Sequence, residues 1–475
     1  MNQAIRRVTV VAGLLILALL VNISAAYVLR YPSLNNNPQN RRVQIAQFAE
    51  PRGDILAGNT AIVTTTPSDG AFAFKRTYAD GPMYSAVTGY YSFIYGRNKL
   101  EQQYNAQLAG SSNAQALQQL INKLMGRGPD VASLQTTIDP RAQKAAWKGL
   151  QGKQGAVVAI DYTTGAILAY VSTPSFDPAQ LASDDLGATQ QAWTDLNADP
   201  AAPMSDRAGR EIYPPGSTFK LVTAAAALEA GWTTETMVDS PARLTLPGTS
   251  VQLGNAHDCG GDKITLQQAL TVSCNTAFAN VGMQIGQDAI AAQAAKFGFG
   301  SSFGGDVNSA VSSFPTGLDQ PQTAMSAIGQ FDVTASPLQM AVVAAAIAND
   351  GQVMQPYFVS EVQAPDLSVV SQHTPTSLGQ AVSISTAQQL QQMMRSVVSN
   401  GTGQRAQVAG LTIGGKTGTA QSDASRAPYA WFVGYATQLH AAVCVFVQNS
   451  PTNEDQSGGA TAAPIFRQVI QSLQS

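Results

Sequence analysis

Tyr213-Pro214-Pro215-Gly216-Ser217-Thr218-Phe219-Lys220, followed by Leu221-Val222-Thr223 and an alanine-rich run to Glu229, is the stretch on which the reading of this chain turns. The two prolines and Gly216 stop any preceding element and leave Ser217 at the first turn of a helix. From Phe219 to Leu228 nearly every face is apolar, the pattern of a buried helix. Lys220 stands out in that setting. It follows Ser217 by three positions, so the two side chains share one face about one turn apart. A hydroxyl needs a neighbouring base to act as a nucleophile, and a lysine desolvated by apolar neighbours can be neutral near pH 7. The pair reads as nucleophile and base, against the plainer alternative of a helix cap followed by a surface lysine.

Two further motifs follow in the order this chemistry uses, Ser273-Cys274-Asn275 and Lys416-Thr417-Gly418-Thr419. Alone, the second is an ordinary strand and turn. Together, S-x-x-K, S-x-N and K-T-G resemble the set shared by penicillin-binding proteins and class A β-lactamases.

The 475 residues suit a large catalytic domain plus a smaller one. Charged residues make up 12% and the net charge is −3, so nothing suggests a surface for nucleic acid or another polyanion. Cys259, Cys274 and Cys444 have no zinc spacing, and His257, His373 and His440 are scattered. His257, Cys259 and Cys274 supply three ligands where a structural zinc wants four, so neither metal nor cofactor is expected.

After Met1 to Arg7, the chain runs apolar from Val8 to Leu29, about the length of one membrane-spanning helix. Ser24-Ala25-Ala26 leaves a cleavable signal peptide open, and the uncleaved anchor is the preferred reading. Both place everything after residue 30 outside the cytoplasm. Residues 31 to 42 look like an exposed linker. A region near 43 to 135 carries no catalytic constellation; in it Arg52-Gly53-Asp54-Ile55 reads as a turn entering a strand, and Asn113 to Met125 has helical spacing. Asp139 then reads as an N-cap with Pro140 at the first helical position. Gly155 to Asp161 and Ala166 to Val171 read as strands joined at Tyr162-Thr163-Thr164-Gly165. Residues 173 to 212, rich in Pro, Asp and Ala, read as surface loops over a cleft. Ala341 to Ala348 reads as helix core, Ala430 to Tyr435 and Ala441 to Val447 as strands, and Pro464 to Leu473 as a helix across the sheet. The expected division is 1–30 tail and anchor, 31–138 non-catalytic domain, and 139–475 catalytic domain.

Over nearly its whole length the chain resembles the class B penicillin-binding proteins, most closely their short actinobacterial type. The resemblance rests on the three motifs and on segments such as Ser172-Thr173-Pro174-Ser175-Phe176-Asp177-Pro178, Gly329-Gln330, Ala348-Asn349-Asp350-Gly351, Gly401-Thr402-Gly403 and Trp431-Phe432-Val433-Gly434. Arg52-Gly53 and Leu100-Glu101 extend it to the amino-terminal half, where Leu56-Ala57-Gly58-Asn59 departs from the Asp-Arg-x-Gly turn of many members. It implies an α+β fold: a transpeptidase domain of antiparallel sheet flanked by helices with a helical subdomain, a smaller α+β amino-terminal domain, and the membrane anchor.

The resemblance also implies roles. Ser217 would attack the carbonyl of a D-Ala-D-Ala bond while Lys220 takes its proton. Thr265-Leu266-Gln267-Gln268 has the capping-box pattern ahead of Ser273, which would relay a proton to the departing amine. The Asn275 amide would hold substrate backbone, Lys416 would supply positive charge, and Thr417 and Thr419 would bind the terminal carboxylate. Gly418 would let substrate backbone lie against its strand. Backbone N–H groups of Ser217 and Thr419 would form the oxyanion hole. An oxidising location favours a Cys259–Cys274 disulfide, because Cys274 lies between two cleft-facing residues and points back toward the Cys259 loop. The implied partners are peptidoglycan stem peptides, β-lactams, the membrane, a lipid-linked-precursor polymerase and other division or elongation proteins. A β-lactam-hydrolysing or sensing protein and a non-catalytic scaffold are the alternatives. Between Asn275 and Lys416 the one glutamate, Glu361, has no E-x-x-L-N context, which disfavours the class A β-lactamases.

Overall fold

Gln154–Asp161 and Ala441–Asn449 are apolar at almost every interior position, as strands buried on both faces require. They sit at the middle of a five-stranded antiparallel sheet, ordered Ile413–Ala420, Tyr429–Ala436, Ala441–Asn449, Gln154–Asp161 and Ile167–Thr173. The structure, a computed structural model, describes residues 3–30, 41–112, 115, 121, 124–125, 130–420, 427–450 and 456–474. On one face of the sheet Val157, Ala159, Val443 and Val445 pack with Ala142 and Ala146 of helix Pro140–Gly149 and Phe466 of helix Ala463–Gln474. Alternate residues, among them Ala156, Val158, Cys444 and Phe446, face the buried helix Pro337–Ala348. Asp139 caps its helix by accepting from the N–H groups of Arg141 and Ala142, a contribution of about 1 kcal/mol. The strands, the hairpin turn and both flanking helices fall where the pattern of residues places them.

A helical subdomain lies beyond one edge of this sheet. Lys220–Glu229 is buried along Lys220 to Leu228, and it packs on Asn275–Ile285, Gln287–Lys296 and Ile384–Ser399. Thr265 caps Leu266–Thr271 through the N–H of Gln268.

The amino-terminal region is built on a six-stranded sheet, ordered Val369–Gln372, Val359–Gln363, Ser133–Thr136, Ile55–Ala57, Thr60–Pro67 and Phe74–Tyr78. Two of its strands therefore come from far along the chain, so the sheet crosses the boundary expected at 138/139. A buried network ties its other parts together. The Glu101 carboxylate accepts from Arg52 Nε at 2.6 Å and Arg76 Nε at 2.7 Å, and Arg52 lies 4.4 Å above the Tyr91 ring centroid.

Residues 173–212 are not all loop. Leu186–Ala198 is an α-helix started by Asp185, whose carboxylate accepts from the N–H groups of Gly187 and Ala188. It packs beside the amino-terminal region, where Trp193 stacks on Tyr95 at 4.0 Å. Its apolar stripe, Leu186, Ala192, Trp193 and Leu196, is narrow and set among polar residues, which is why composition alone reads as loop. Most of the helix expected over Asn113 to Met125, and linker residues 31–40, lie outside the described residues; Arg41–Phe48 is helical. Gln3–Ala25 is a helix whose segment Ile5–Ala25 is long and apolar enough to cross a membrane, which fits a single-pass anchor.

Candidate active site

Ser217 sits in a single 3₁₀ turn, Gly216–Thr218, that leads directly into helix Lys220–Glu229. The turn is pinned at both ends. Thr218 Oγ1 donates to the Pro215 carbonyl at 2.7 Å, and the Gly216 N–H donates to the Gly329 carbonyl at 2.9 Å. Gly329 has φ +74, and a Cβ there would lie 2.1 Å from the Gly216 carbonyl oxygen, so only glycine fits this approach.

Lys220 is fully buried, yet its ammonium has partners. Nζ donates to the Ser273 carbonyl at 2.8 Å, to Ser273 Oγ at 3.3 Å and to Asn275 Oδ1 at 2.7 Å. The Phe278 ring centroid is 5.6 Å away. Burial holds the Lys220 amine well below the usual lysine range, and the nearby Lys416 charge pushes the same way. Lys416, also fully buried, reaches Ser273 from the strand Ile413–Ala420: its Nζ donates to Ser273 Oγ at 2.7 Å and to the Thr417 carbonyl at 2.9 Å. Burial lowers its pKa to about 7. One hydroxyl oxygen thus accepts from two lysines.

Ser273 itself has φ +61, a left-handed conformation unusual for a residue with a side chain. Asn275 opens helix Asn275–Ile285, and its Nδ2 donates to the Gly254 carbonyl at 3.1 Å. Cys274 points the other way and is joined to Cys259 by a disulfide with a Cα–Cα distance of 5.5 Å. Both sulfurs are therefore committed to each other, whereas Cys444 is free and buried.

Ser217, Ser273, Asn275, Thr417 and Thr419 line one cleft of about 620 Å³, with His257, Asp258 and Arg405 at its rim. Ile413–Ala420 is the edge strand of its sheet, so part of its backbone hydrogen-bonding edge is unpaired by other strands. Thr417 Oγ1 is 2.6 Å from Thr402 Oγ1. At Gly418 a Cβ would meet Thr218 Cγ2 at 2.9 Å, Trp431 Cβ at 3.0 Å and the Pro215 carbonyl oxygen at 3.1 Å, so the missing side chain admits the Ser217 turn. The structure brings Ser217, Lys220, Ser273, Asn275, Lys416, Thr417 and Thr419 together at or beneath this cleft. Asn255 is the residue that motif reading misses: its Oδ1 accepts from the N–H groups of Asn275 and Thr276. A lone asparagine in a turn-rich stretch gives no local signal of that reach.

Comparison with known proteins places the chain in one family. The family described as "Penicillin binding protein transpeptidase domain" matches residues 155–471, and "Penicillin binding protein A dimerisation domain" matches residues 52–134. The peptidoglycan D,D-transpeptidase PbpA of Mycolicibacterium smegmatis is 39% identical over 99% of this chain and 98% of its own length. That of Mycobacterium tuberculosis is 37% identical over 99% of each. The solved structure of penicillin-binding protein A from M. tuberculosis as an imipenem acyl-enzyme complex superposes with a TM-score of 0.85 at 38% identity, covering 90% of this chain and 100% of that one. Its ceftriaxone acyl-enzyme gives 0.86 at 36% identity, covering 91% and 100%. A family match over two-thirds of the sequence, and relatives of this identity over nearly all of it, place the chain among the penicillin-binding protein transpeptidases.

Proposed function

We propose that this chain is a peptidoglycan D,D-transpeptidase that works through an acyl-serine and is inhibited by β-lactams that acylate Ser217. The observation that carries this reading is the pair of buried lysines meeting on Ser273 Oγ beneath the cleft that Ser217 lines. Ser217 Oγ attacks the carbonyl carbon of the penultimate D-alanine and gives its proton to Lys220, three positions on at the start of the following helix. Burial, with the nearby Lys416 charge, favours the neutral amine that this step needs. The C–N bond breaks as the terminal D-alanine amine takes a proton through Ser273. An amine from a second stem peptide then attacks the ester, forming the cross-link and returning the Ser217 hydroxyl. Asn275 holds substrate amide, Lys416 supplies positive charge beside Ser273, Thr417 and Thr419 receive the terminal carboxylate, and the N–H groups of Ser217 and Thr419 receive the oxyanion, the contribution expected to weigh most on the rate.

The apolar helix Ile5–Ala25 anchors the chain with its catalytic part outside the cytoplasm. Residues 31–138 form a platform for partners, among them a lipid-linked-precursor polymerase of the shape, elongation, division and sporulation family. Fluorescent penicillin tests the central assignment. The label is expected on the peptide containing Ser217 and is abolished in Ser217→Ala, with the melting temperature unchanged within a few degrees. Label on another serine overturns the reading.

A further inference from the structure

We propose that Asn255 is a positioning residue for this reaction: from a separate loop it caps the helix that carries Asn275, and so holds Asn275 and Ser273 against Lys220. The inference rests on the transpeptidase reading above.

Helix Asn275–Ile285 begins without a cap of its own. The residue at its N-cap position is Cys274, whose side chain makes no cap hydrogen bond and whose sulfur is bound to Cys259. The first N–H groups of a helix have no partner within it, and at a half-buried end they need one from elsewhere. Asn255 supplies it. Its Oδ1 accepts from Asn275 N–H at 2.7 Å and from Thr276 N–H at 3.0 Å. Its Nδ2 donates to Thr276 Oγ1 at 3.0 Å and to the Pro241 carbonyl at 3.3 Å. Both ends of the amide are therefore used, and a flipped amide would point donors at donors.

The hold reaches the chemistry through one residue. Gly254, immediately before Asn255, accepts from Asn275 Nδ2 at 3.1 Å, and Asn275 Oδ1 accepts from Lys220. Residues 254 and 255 thus fix both the main chain and the side chain of Asn275. Two residues earlier in the same turn is Ser273, at φ +61. A left-handed residue with a side chain is strained and persists only where its surroundings enforce it. Here the enforcement comes from Asn255 and, four residues further along the same loop, from the disulfide at Cys259. Strand Gln252–Gly254, paired with Arg243–Thr245, delivers Asn255 to this position.

The test uses the full-length protein in detergent and three forms: wild type, Asn255→Ala and Asn255→Asp. Acylation by a fluorescent penicillin is measured for the folded fraction over a range of drug concentrations, alongside hydrogen exchange across residues 271–278. Asn255→Ala is expected to lower the maximal acylation rate about 10–100-fold, the size of loss that follows removal of the hydrogen-bond partner behind a metal ligand. Asn255→Asp keeps acceptors for both N–H groups at a helix start that favours negative charge, loses the Nδ2 donation to the Pro241 carbonyl, and is expected within about tenfold of wild type. The Asn275 and Thr276 amides should exchange faster in Asn255→Ala and regain protection in Asn255→Asp. A loss below fivefold in Asn255→Ala, or an Asn255→Asp form as slow as it, overturns the proposal. If Asn255→Ala fails to fold, Asn255→Asp decides alone: acylation under a tenth of wild type overturns it, and faster acylation supports it. Failure of wild type to label at Ser217 would remove the transpeptidase reading, while the exchange data would still show whether Asn255 holds this turn.

Discussion

Ser273 Oγ accepts from Lys220 and Lys416 at once, and the two lysines have opposite duties in the proposed reaction. Lys220 must be neutral to take the Ser217 proton, whereas Lys416 must be charged to supply positive charge beside Ser273. Burial lowers both. The acylation rate should therefore rise as Lys220 loses its proton and fall again above about pH 7, where Lys416 loses its own. In Lys416→Arg the guanidinium stays charged throughout, so the descending limb should vanish whatever the absolute rate. Penicillin acylation followed from pH 5 to 9.5 checks this; an unchanged descending limb would assign it to another group. Gly418 gives a second prediction at this scale. Gly418→Ala should slow acylation at least about tenfold, because its Cβ would displace the Ser217 turn and small misplacements of reacting atoms cost heavily. Stopped-flow labelling reads it. The motif residues were legible because their chemistry follows from residue type and short spacing. Asn255 and the packing duty of Gly418 were not, because each acts on residues remote in sequence.

Among the elements, the segment at Arg52, strand Phe74–Tyr78 and helix Lys99–Gln103 meet at a carboxylate with almost no exposed surface. Burial pushes the Glu101 carboxyl up, but the Arg76 and Arg52 guanidiniums outweigh it and hold the group below the usual carboxylate range. Its contribution to stability is therefore present above the unfolded value, about 4.3, and is lost as pH falls through the lower folded one. Glu101→Gln leaves two buried cations with a neutral partner and should destabilise the protein by about 3–5 kcal/mol. Urea unfolding at pH 7 measures this, and a change under 1 kcal/mol would contradict it. Elements such as Gln154–Asp161 and Pro337–Ala348 could be read from sequence because burial on all sides leaves an unbroken apolar run. Leu186–Ala198 could not: its start lies in one aspartate, and its apolar stripe is narrow and interrupted by polar residues.

At the scale of the molecule, the sheet containing Ser133–Thr136 is completed by Val359–Gln363 and Val369–Gln372. Phe358, Val359 and Val362 are buried against it, and the Thr137 N–H donates to the Phe358 carbonyl. A chain starting at residue 139 would expose these apolar side chains and leave Val359–Gln363 without Ser133–Thr136. It should aggregate or melt well below a chain starting at residue 41. Equal melting by calorimetry would show that the catalytic part folds by itself. This pairing is invisible to local pattern, since neither partner's alternation names the other. It also sets an order of events during synthesis. Ser360 Oγ donates to the Gln135 carbonyl 225 residues away in sequence. At about 5–20 residues per second, translation takes roughly 10–45 s to supply that partner. Throughout this delay the strand Ser133–Thr136 presents an open edge, and the nearest matching strands belong to other nascent chains. Chains emerging close together during this delay gain a route to pairing between molecules, so yield should improve when initiation is slowed.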